Sequence, residues 1–392
     1  MKKEISINNI PKRKPKIIKA ANIPSSLSGF FKGMLKRMSE EYEVIALASP
    51  GAEMDVIRER EGVRTEAIPI ERRPSILKDI QSLCRLIAFF RKEKPDVVHS
   101  MSAKAGMLCM IAAKITHVPH RVHSFTGLAF PTATGLRRLI LMTTERITCA
   151  CGNHLLPEGE GVKKDLINNH ITKKELRVIG HGNIRGIDLD YYDRTPEVEE
   201  AAMAWRKPDV FTFVFVGRLV RDKGVNELIE AMVDLHKKYG NTRLLLLGDY
   251  DDGKDPLKKE TIDIIENSTF IENVGWQNDV RPYLVASDCF VMPSYREGFP
   301  NSVIEAGAMS LASIVTDING ANEIIIESEN GIIIPSQNKE KLQLAMEYML
   351  LHAEERFSMA QKARSLVAER YEIGYVQQCY LDFYREILNE RS

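Results

Sequence analysis

The sequence predicts an α/β protein made of two doubly wound domains, and three observations support this fold class. Short runs rich in β-branched residues alternate with helix-length periodic segments, as in parallel sheets built from β-α-β units. The same alternation restarts after a polar, proline-containing segment, Asp193–Pro208. A length of 392 residues provides enough chain for two separate cores. We therefore expect domains at residues 1–192 and 193–370, with residues 371–392 forming a separate C-terminal helix.

The elements of the first half follow in order from its apolar patterns. Strands are predicted at Lys16–Ile18, Val44–Leu47, Asp96–His99 and Arg121–Ser124. Apolar residues at helical spacing predict helices near Phe30–Met38, Ile76–Arg91 and Ala105–Ile115, with a further long segment at Leu136–Thr148. This half therefore alternates strands and helices as a doubly wound domain requires.

The second half repeats the pattern. Strands are predicted at Phe211–Val216, Leu244–Leu247, Thr269–Val274, Cys289–Met292 and Ser313–Thr316. A helix is predicted from Val225 onwards, and Gly240 ends it. After Lys339 the pattern is almost entirely helical, and in Tyr371–Leu388 apolar residues recur at a spacing of four. This last helix needs a surface to cover.

Composition and charge narrow the class of protein. The 54 Lys and Arg residues balance 54 Asp and Glu residues, and 44% of the chain is hydrophobic, which excludes a disordered or fibrous protein. Residues 1–190 carry 32 basic and 20 acidic side chains, whereas residues 191–392 carry 22 and 34. The basic half suits an anionic lipid or phosphate partner, and no nucleic-acid partner is expected. Apolar runs fall far short of the roughly 20 residues of a membrane span, and the N-terminus lacks a secretory pattern, so we expect a cytoplasmic protein.

The first of two chemically informative segments is Val291–Glu305. It reads as a buried strand, a Gly/Pro loop and a helix, with Glu297 in the loop and Glu305 early in the helix. Free backbone N–H groups at that helix start suit a diphosphate, and the two carboxylates suit sugar hydroxyls. The alternative is that Ser302 and Glu305 form a capping box, in which Glu305 only caps the helix.

The second segment, Gly217–Gly224, joins a predicted strand to a predicted helix. Gly217 permits close backbone approach, and Arg218 and Lys223 place two cations at the carboxyl edge of the same sheet. A pair of phosphates would satisfy both cations. Taken alone, the segment also fits a solvated turn with incidental charges.

Together, the strand-GR-x4-KG-helix and E-G-F-P-N-S-x2-E elements resemble the nucleotide-sugar half of the family 4 retaining glycosyltransferases, which have the GT-B fold. The resemblance extends through Val274–Asp279, Asp317–Glu323 and Asn330–Pro335, and in the other half through Pro95–His99 and Gly186–Asp188. The chain looks like the bacterial enzymes that assemble capsule, exopolysaccharide or O-antigen repeats. The resemblance implies two Rossmann-like domains facing a cleft, the first on the acceptor side, and a C-terminal helix that crosses back to the first domain.

The resemblance implies which residues form the donor-binding site. Arg218 and Lys223 would bind the donor diphosphate, Glu297 would contact the transferred sugar, and Glu305 would contact the ribose hydroxyls. The other implied donor-binding residues are Gly217, Trp276, Asp279, Gly298, Phe299, Asn301 and Ser302. Because the two cations and the helix start can stabilise the leaving diphosphate, no metal and no cofactor are expected, and the UDP-sugar is a substrate.

The first half departs from the family pattern. Family members often have a Gly-Gly loop where this chain has one glycine, and the acceptor-side residues expected there are Ser28 and Gly29. Thr126 occupies the place of a histidine that approaches the 6-position of the sugar in many members. His123 either substitutes for that histidine or is an ordinary strand histidine, and His99 is a second candidate for a cleft residue.

The implied function is transfer, with retention, of a hexose or N-acetylhexosamine from a UDP-sugar to a polyprenyl-diphosphate-linked saccharide. The basic half would then contact an anionic membrane from the cytoplasmic side through Leu136–Met142, for which a core-facing helix with two solvated arginines is the alternative. A non-transferring GT-B protein such as a UDP-sugar epimerase and a catalytically silent sugar-nucleotide-binding subunit stay open as alternatives. A dinucleotide-dependent enzyme is disfavoured, because no G-x-G-x-x-G follows the first strand.

Overall fold

The computed structural model of the protein describes residues 13–71, 75–251, 253 and 255–389. Two parallel six-stranded sheets form its framework. The first sheet contains β1 (Lys16–Ala20), β2 (Glu43–Ala48), β3 (Arg64–Ala67), β4 (Val97–Met101), β5 (His120–Phe125) and β6 (His154–Pro157). The second contains β7 (Phe211–Val216), β8 (Thr242–Leu247), β9 (Ile271–Gly275), β10 (Cys289–Met292), β11 (Ser313–Thr316) and β12 (Gly331–Ile334).

Helices connect the strands and cover both sheets. Those of the first half are α1 (Pro24–Phe30), α2 (Met34–Glu41), α3 (Glu53–Glu61), α4 (Ile76–Glu93), α5 (Ala103–Ile115), α6 (Gly135–Cys151) and α7 (Glu160–Asn168). Those of the second half are α8 (Pro196–Met203), α9 (Val225–Tyr239), α10 (Lys259–Asn267), α11 (Arg281–Val285), α12 (Asn301–Ala308), α13 (Ala321–Ile324), α14 (Lys339–Leu351), α15 (Ala353–Tyr371) and α16 (Ile373–Asn389).

The strand order explains where a ligand would bind. The sheets have the orders β3-β2-β1-β4-β5-β6 and β12-β11-β10-β7-β8-β9. In each sheet the first three strands in chain order are added in one direction, and the chain then crosses to the other side of the first of them. The strand order therefore reverses between β1 and β4 and between β7 and β10. Ligands of open parallel sheets bind outside the carboxyl ends of the strands at such reversals. The loops after β7 and β10, far apart in sequence, are therefore neighbours in space.

The predicted doubly wound α/β fold is confirmed, with local differences. The periodic stretch Phe30–Met38 is two helices rather than one, because Gly33 adopts a φ of +75° between them. The polar segment Asp193–Pro208 contains α8, whose Val198 and Ala202 are buried in the second domain. The strand β3 was not predicted, since its sequence RTEA is polar and only partly buried. The predicted boundaries at residues 192 and 370 stay predictions.

The C-terminal helix α16 returns to the first domain, as predicted. Its residues Val376, Tyr380, Phe383, Tyr384 and Ile387 are buried in the same hydrophobic cluster as the β1 and α2 side chains. The first domain thus covers the apolar face of α16, which the sequence shows as apolar residues at a spacing of four. Within the described residues, no helix combines the length and hydropathy that crossing a bilayer requires.

Candidate active site

Two adjoining cavities lie in the cleft between the domains, at the carboxyl edges of the sheets. The larger cavity, about 980 Å³, is lined among others by Ser28, Gly29, Gly217, Arg218, Trp276, Asn301 and Glu305. The smaller cavity, about 420 Å³, is lined among others by Thr126, Gly217, Arg218, Lys223, Glu297, Gly298, Phe299, Asn301 and Ser302. The structure therefore brings together the three predicted acceptor-side residues and every predicted donor-site residue except Asp279.

The turn after β7 holds both cations predicted for a diphosphate. It contains a short 3-10 helix, Arg221–Lys223, and ends at Gly224, whose φ is +71°. A Cβ at Gly224 would lie 2.0 Å from the carbonyl oxygen of Pro293, so only glycine lets this turn pack against the segment after β10. Lys223 Nζ consequently reaches Oε1 of Glu297 and forms an ion pair with it.

Arg218 lies where the two cavities adjoin. Its Nη1 donates to Oδ2 of Asp251 at 2.7 Å, and 57% of its side chain is exposed. The loop after β8 stays close because a Cβ at Gly248 would lie 2.0 Å from the carbonyl oxygen of Gly217. Both cations of the turn therefore line the cleft, and the alternative of a solvated turn with incidental charges does not describe the structure.

Glu305 pairs with a cation and does not cap its helix. The helix α12 begins at Asn301 with Pro300 at its N-cap and without a side-chain cap. Glu305 Oε1 instead accepts a hydrogen bond from Nη1 of Arg185 at 2.8 Å. Burial lowers the pKa of Arg185, but the nearby Glu305 outweighs this effect and the pKa is raised. The capping-box alternative is therefore wrong, and Glu305 is held at the wall of the larger cavity.

Trp276 and Asp279, both predicted near the nucleotide base, take different positions. The indole of Trp276 is 65% exposed and lines the larger cavity. Asp279 does not line that cavity, because its carboxylate oxygens bind Nε and Nη2 of Arg281 at 2.9 and 2.7 Å. The guanidinium of Arg281 lies over the ring of Tyr191, 3.8 Å from its centroid. Asp279 therefore positions Arg281, and its assignment to the donor site stays a prediction.

Thr126 meets the second domain through its backbone. A Cβ at Gly298 would lie 2.6 Å from the carbonyl oxygen of Thr126, and one at Gly127 would lie 3.1 Å from Cα of Gly298. Asn183 Nδ2 donates to Oδ1 of Asn301 at 3.0 Å nearby. The absence of side chains at both glycines thus permits the two domains to touch beside the smaller cavity.

Neither candidate histidine faces the cleft. His99 is 1% exposed, with Nδ1 lying 2.6 Å from the hydroxyl of Tyr384 and Nε2 lying 2.7 Å from Oγ of Ser124. His123 is equally buried, and its Nδ1 lies 2.9 Å from Oγ of Ser100. The assignment of His99 to the cleft is therefore corrected, and His123 is the ordinary strand histidine of the alternative. His99 packs against Tyr384 of α16 and His123 packs against Gly106 of α5, so both rings are enclosed by helices that cover the first sheet.

Arg185 and Glu158 are among the cleft residues that the sequence did not predict. Arg185 directly precedes the Gly186–Asp188 motif, and its position in the cleft is apparent only from its ion pair with Glu305. Glu158 follows β6, a short strand that was not predicted, and it lines the smaller cavity. A signal for Glu158 existed, since a charged residue directly after an apolar strand lies at the ligand edge of a parallel sheet.

Comparisons with known proteins agree with this geometry. A model described as a glycosyl transferase 4-like domain matches residues 33–182, and one described as glycosyl transferases group 1 matches residues 199–366. The Staphylococcus aureus capsular polysaccharide biosynthesis glycosyltransferase CapM is 26% identical over 349 residues, which are 89% of this chain and 91% of that protein. The Escherichia coli UDP-Gal:alpha-D-GlcNAc-diphosphoundecaprenol alpha-1,3-galactosyltransferase is 29% identical over 283 residues, 70% of this chain and 71% of that protein.

A solved structure extends the comparison to the fold. Anabaena Alr3699/HepE, determined in complex with UDP, has a TM-score of 0.79 at 15% identity and covers 95% of this chain and 100% of its own. The two family models between them span both domains, and the resemblance inferred from the motifs is confirmed. The chain belongs to the family 4 glycosyltransferases and is a glycosyltransferase with the GT-B fold.

Proposed function

We propose that the protein transfers a hexose or N-acetylhexosamine from a UDP-sugar to a polyprenyl-diphosphate-linked saccharide, with retention at the anomeric carbon. The observation that carries this proposal is the convergence of Arg218, Lys223 and Glu297 beside the start of α12, in a cleft that both domains line. Cations and free backbone N–H groups suit a leaving diphosphate, and a carboxylate suits a sugar hydroxyl. The site therefore has the chemistry that a nucleotide-sugar donor requires.

The relatives support the choice of donor and acceptor. The name of the Escherichia coli relative gives UDP-Gal as its donor and a diphosphoundecaprenol-linked GlcNAc as its acceptor. The Anabaena protein of the same fold was solved with UDP. The larger cavity, at about 980 Å³, is in the size range of small-molecule and cofactor sites. The exposed indole of Trp276 offers an aromatic face to the base in that cavity.

In the proposed reaction, charge develops on the leaving diphosphate and the chain's own groups stabilise it. Arg218 and Lys223 are already placed at the cavities, and the start of α12 adds free N–H groups. Glu297, held by Lys223, orients the transferred sugar. The leaving phosphate deprotonates the acceptor hydroxyl on the same face, which preserves the anomeric configuration.

We propose that this reaction is metal-independent. Within residues 13–71, 75–251, 253 and 255–389, no three His, Cys, Asp or Glu side chains form a group suited to holding a metal ion. Transfer measured in excess EDTA should match transfer in added Mg²⁺ or Mn²⁺. A rate that depends on the divalent ion would contradict metal independence and leave the donor assignment intact.

Nucleotide binding and product analysis test the proposed function. UDP at 100 times its dissociation constant should stabilise the folded protein by about 2.7 kcal/mol, and GDP should have a smaller effect. A panel of UDP-sugars is then incubated with a polyprenyl-diphosphate-linked saccharide, and the product is analysed for a new α- or β-linkage matching the donor anomer. Inversion of the anomer would refute retention. UDP binding without transfer would identify a silent subunit, and interconversion of the UDP-sugars without acceptor would identify an epimerase.

The first domain offers a surface for the membrane in which a lipid-linked acceptor resides. Leu136, Leu139 and Ile140 at the start of α6 are all more than half exposed, and so are Ile76 and Leu77 at the start of α4. Both helices follow strands of a parallel sheet, so both begin at its carboxyl edge, beside the cleft. The start of α6 is therefore not the core-facing helix of the alternative. We propose that Leu136, Leu139 and Ile140, with Arg137 beside them, rest on an anionic bilayer.

Liposome flotation tests the membrane contact. Binding should rise with the fraction of anionic lipid and fall when Leu136 and Leu139 are both replaced by Asp. Leu344→Asp is the matched control, because Leu344 is comparably exposed on α14 of the second domain. Equal binding to neutral and anionic vesicles, or equal loss in the control, would contradict the proposed contact.

A further inference from the structure

Glu158 is a buried carboxyl at the cleft that the proposed mechanism does not yet use. It follows β6 at the carboxyl edge of the first sheet and lines the smaller cavity. The residue is 3% exposed, and its Oε1 has no hydrogen-bond partner in the described part of the chain. Its backbone is fixed, since its N–H donates to Phe125 and its carbonyl accepts from Asn183, both at 3.0 Å. A buried oxygen without a partner is costly, so its presence at this position needs a reason.

A second unpartnered atom lines the same cavity from the other domain. Ser294 follows β10 and is fully buried, and among the described residues its Oγ also has no hydrogen-bond partner. The ion pair of Lys223 and Glu297 lies in the same cavity. Each domain thus contributes to the lining of one space of about 420 Å³ a residue with a buried, unpartnered polar atom. A sugar ring fits such a space, because its hydroxyls both donate and accept hydrogen bonds.

The surroundings of Glu158 favour its neutral form. Burial raises the pKa of its carboxyl to about 8, a backbone hydrogen bond from Ile184 opposes this rise, and Glu323 of α13 adds to it. Tyr380 of α16 is a further titratable group that interacts with Glu158, and Lys223 and Glu297 line the same cavity. A protonated carboxyl can donate to one oxygen and accept from another.

We propose that Glu158 is a further substrate-contacting residue, whose carboxyl hydrogen-bonds a hydroxyl of the sugar ring held between it and residues 297–302. This inference rests on the proposed transfer reaction and adds a specificity-determining contact from the first domain. A neutral carboxyl recognises the hydroxyl without placing another negative charge near the leaving diphosphate. Discrimination follows because a sugar lacking that hydroxyl would leave the buried carboxyl unpaired.

Replacement by leucine separates recognition from structural support. A buried carboxyl with one oxygen unpartnered contributes little to stability, so Glu158→Leu should keep or raise the thermal midpoint and keep the shift caused by UDP. The kcat/KM for transfer should nevertheless fall about 10- to 100-fold. Glu145→Leu is the matched control, because Glu145 is 5% exposed on α6, has an unpartnered Oε2 among the described residues, and lines neither cavity. Its kcat/KM should not change.

Glutamine tests the chemistry of the contact. An amide also donates and accepts, so Glu158→Gln should restore most of the transfer, and it should remove a loss of activity that the unaltered protein shows above about pH 8. Two measurements distinguish a contact to the donor sugar from a contact to the acceptor sugar. If Glu158 contacts the donor sugar, the slow hydrolysis of UDP-sugar without acceptor should fall in Glu158→Leu. If it contacts the acceptor sugar, only the KM for acceptor should rise.

Two results would contradict the contact between Glu158 and the sugar, and a third would contradict the transfer reaction itself. Transfer by Glu158→Leu at the unaltered rate, or a loss no larger than that of Glu145→Leu, would contradict a substrate contact. Failure of glutamine to restore any transfer lost in the leucine variant would contradict hydroxyl recognition by a neutral carboxyl. If the unaltered protein transfers no sugar at all, the proposed function fails, which the same assay shows before any variant is compared.

Discussion

At the scale of single residues, both carboxylates of the E-x7-E motif are held by cations. Glu297 pairs with Lys223 from the turn after β7, and Glu305 pairs with Arg185 from the first domain. In the proposed reaction, the transferred sugar and the ribose would therefore meet carboxylates whose positions are already set. Such preorganisation reduces the rearrangement needed at the moment of reaction.

The cations of the β7 turn should dominate catalysis. Replacing Arg218 or Lys223 by Ala removes a charge contact to the leaving diphosphate, and each change should cost about 2 to 4 kcal/mol of transition-state stabilisation. Steady-state kinetics with a UDP-sugar and acceptor measures this loss as a fall in kcat/KM.

Arg221→Ala is the control in the same turn. Arg221 is 64% exposed, pairs with Asp255 at 2.9 Å and lines neither cavity, so its removal should change the rate by less than about 0.5 kcal/mol. Unaltered turnover in both Arg218→Ala and Lys223→Ala, or an equal loss in Arg221→Ala, would contradict the assignment of a diphosphate site.

At the scale of elements, α16 is joined to the first sheet by a buried polar group. Lys19 of β1 is 1% exposed, and its Nζ lies 3.0 Å from the hydroxyl of Tyr384 and 3.1 Å from Nδ1 of His99. Burial holds the pKa of Lys19 well below its usual range, and burial likewise lowers the pKa of His99, with Lys19 adding to the effect. The helix is thus anchored to the sheet by a buried amine that contacts both Tyr384 of α16 and His99 of β4.

Lys19→Met should stabilise the protein near neutral pH. Because the pKa of Lys19 is lower in the folded protein, the unfolded chain binds more protons, and the free energy of unfolding rises with pH up to the ordinary lysine range near 10.5. The substitution removes this penalty and should add about 1 to 3 kcal/mol at pH 7, with less gain at pH 10. Urea unfolding at both pH values measures the difference.

Lys16→Met in the same strand should act in the opposite direction. Lys16 Nζ binds Glu93 at 2.8 Å and Glu43 at 2.9 Å, so its removal leaves the buried Glu93 with a smaller set of partners and should cost about 2 kcal/mol. A destabilised Lys19→Met variant, or a gain that is the same at pH 7 and pH 10, would contradict a lowered pKa of Lys19 in the folded protein.

At the scale of the whole molecule, oppositely charged residues of the two halves of the chain form ion pairs. Arg185 of the basic half pairs with Glu305 of the acidic half, and Arg177 pairs with Glu386 on α16 at 2.6 Å. Glu323 of the second domain accepts backbone hydrogen bonds from Glu160 and Gly161 of the first, at 2.6 and 2.9 Å. Part of the charge division therefore serves contact between the domains.

Glu323→Gln should loosen the closed cleft. An amide can accept from only one side, so at least one cross-domain bond is lost, at a cost of about 1.5 to 3 kcal/mol for a bond to a charged acceptor. Small-angle scattering should show a larger radius of gyration and kinetics a lower kcat/KM. Glu329→Gln, an exposed glutamate beyond α13, is the control, and equal scattering and rates in both variants would contradict the role of Glu323.

Much of the fold and half of the site could be read from local pattern. The strands Cys289–Met292 and Ser313–Thr316 have the bounds that their apolar runs predict, because a buried parallel strand is a continuous apolar segment. The polar edge strand β3 and the helix α8 within the predicted linker could not be read in this way. Their formation depends on neighbours that are distant in sequence.

Alternating apolar runs indicate the α/β class, and glycines, cations and carboxylates at set spacings indicate the family, because these signals are local in the chain. The pairing of Glu305 with Arg185, the pairing of Asp279 with Arg281 and the burial of His99 and His123 are visible only in the folded chain. The fold also brings the buried carboxyl of Glu158 to the cavity that Glu297 lines. Local patterns do not reveal these features, because the direction and partner of a side chain depend on packing between segments far apart in the chain.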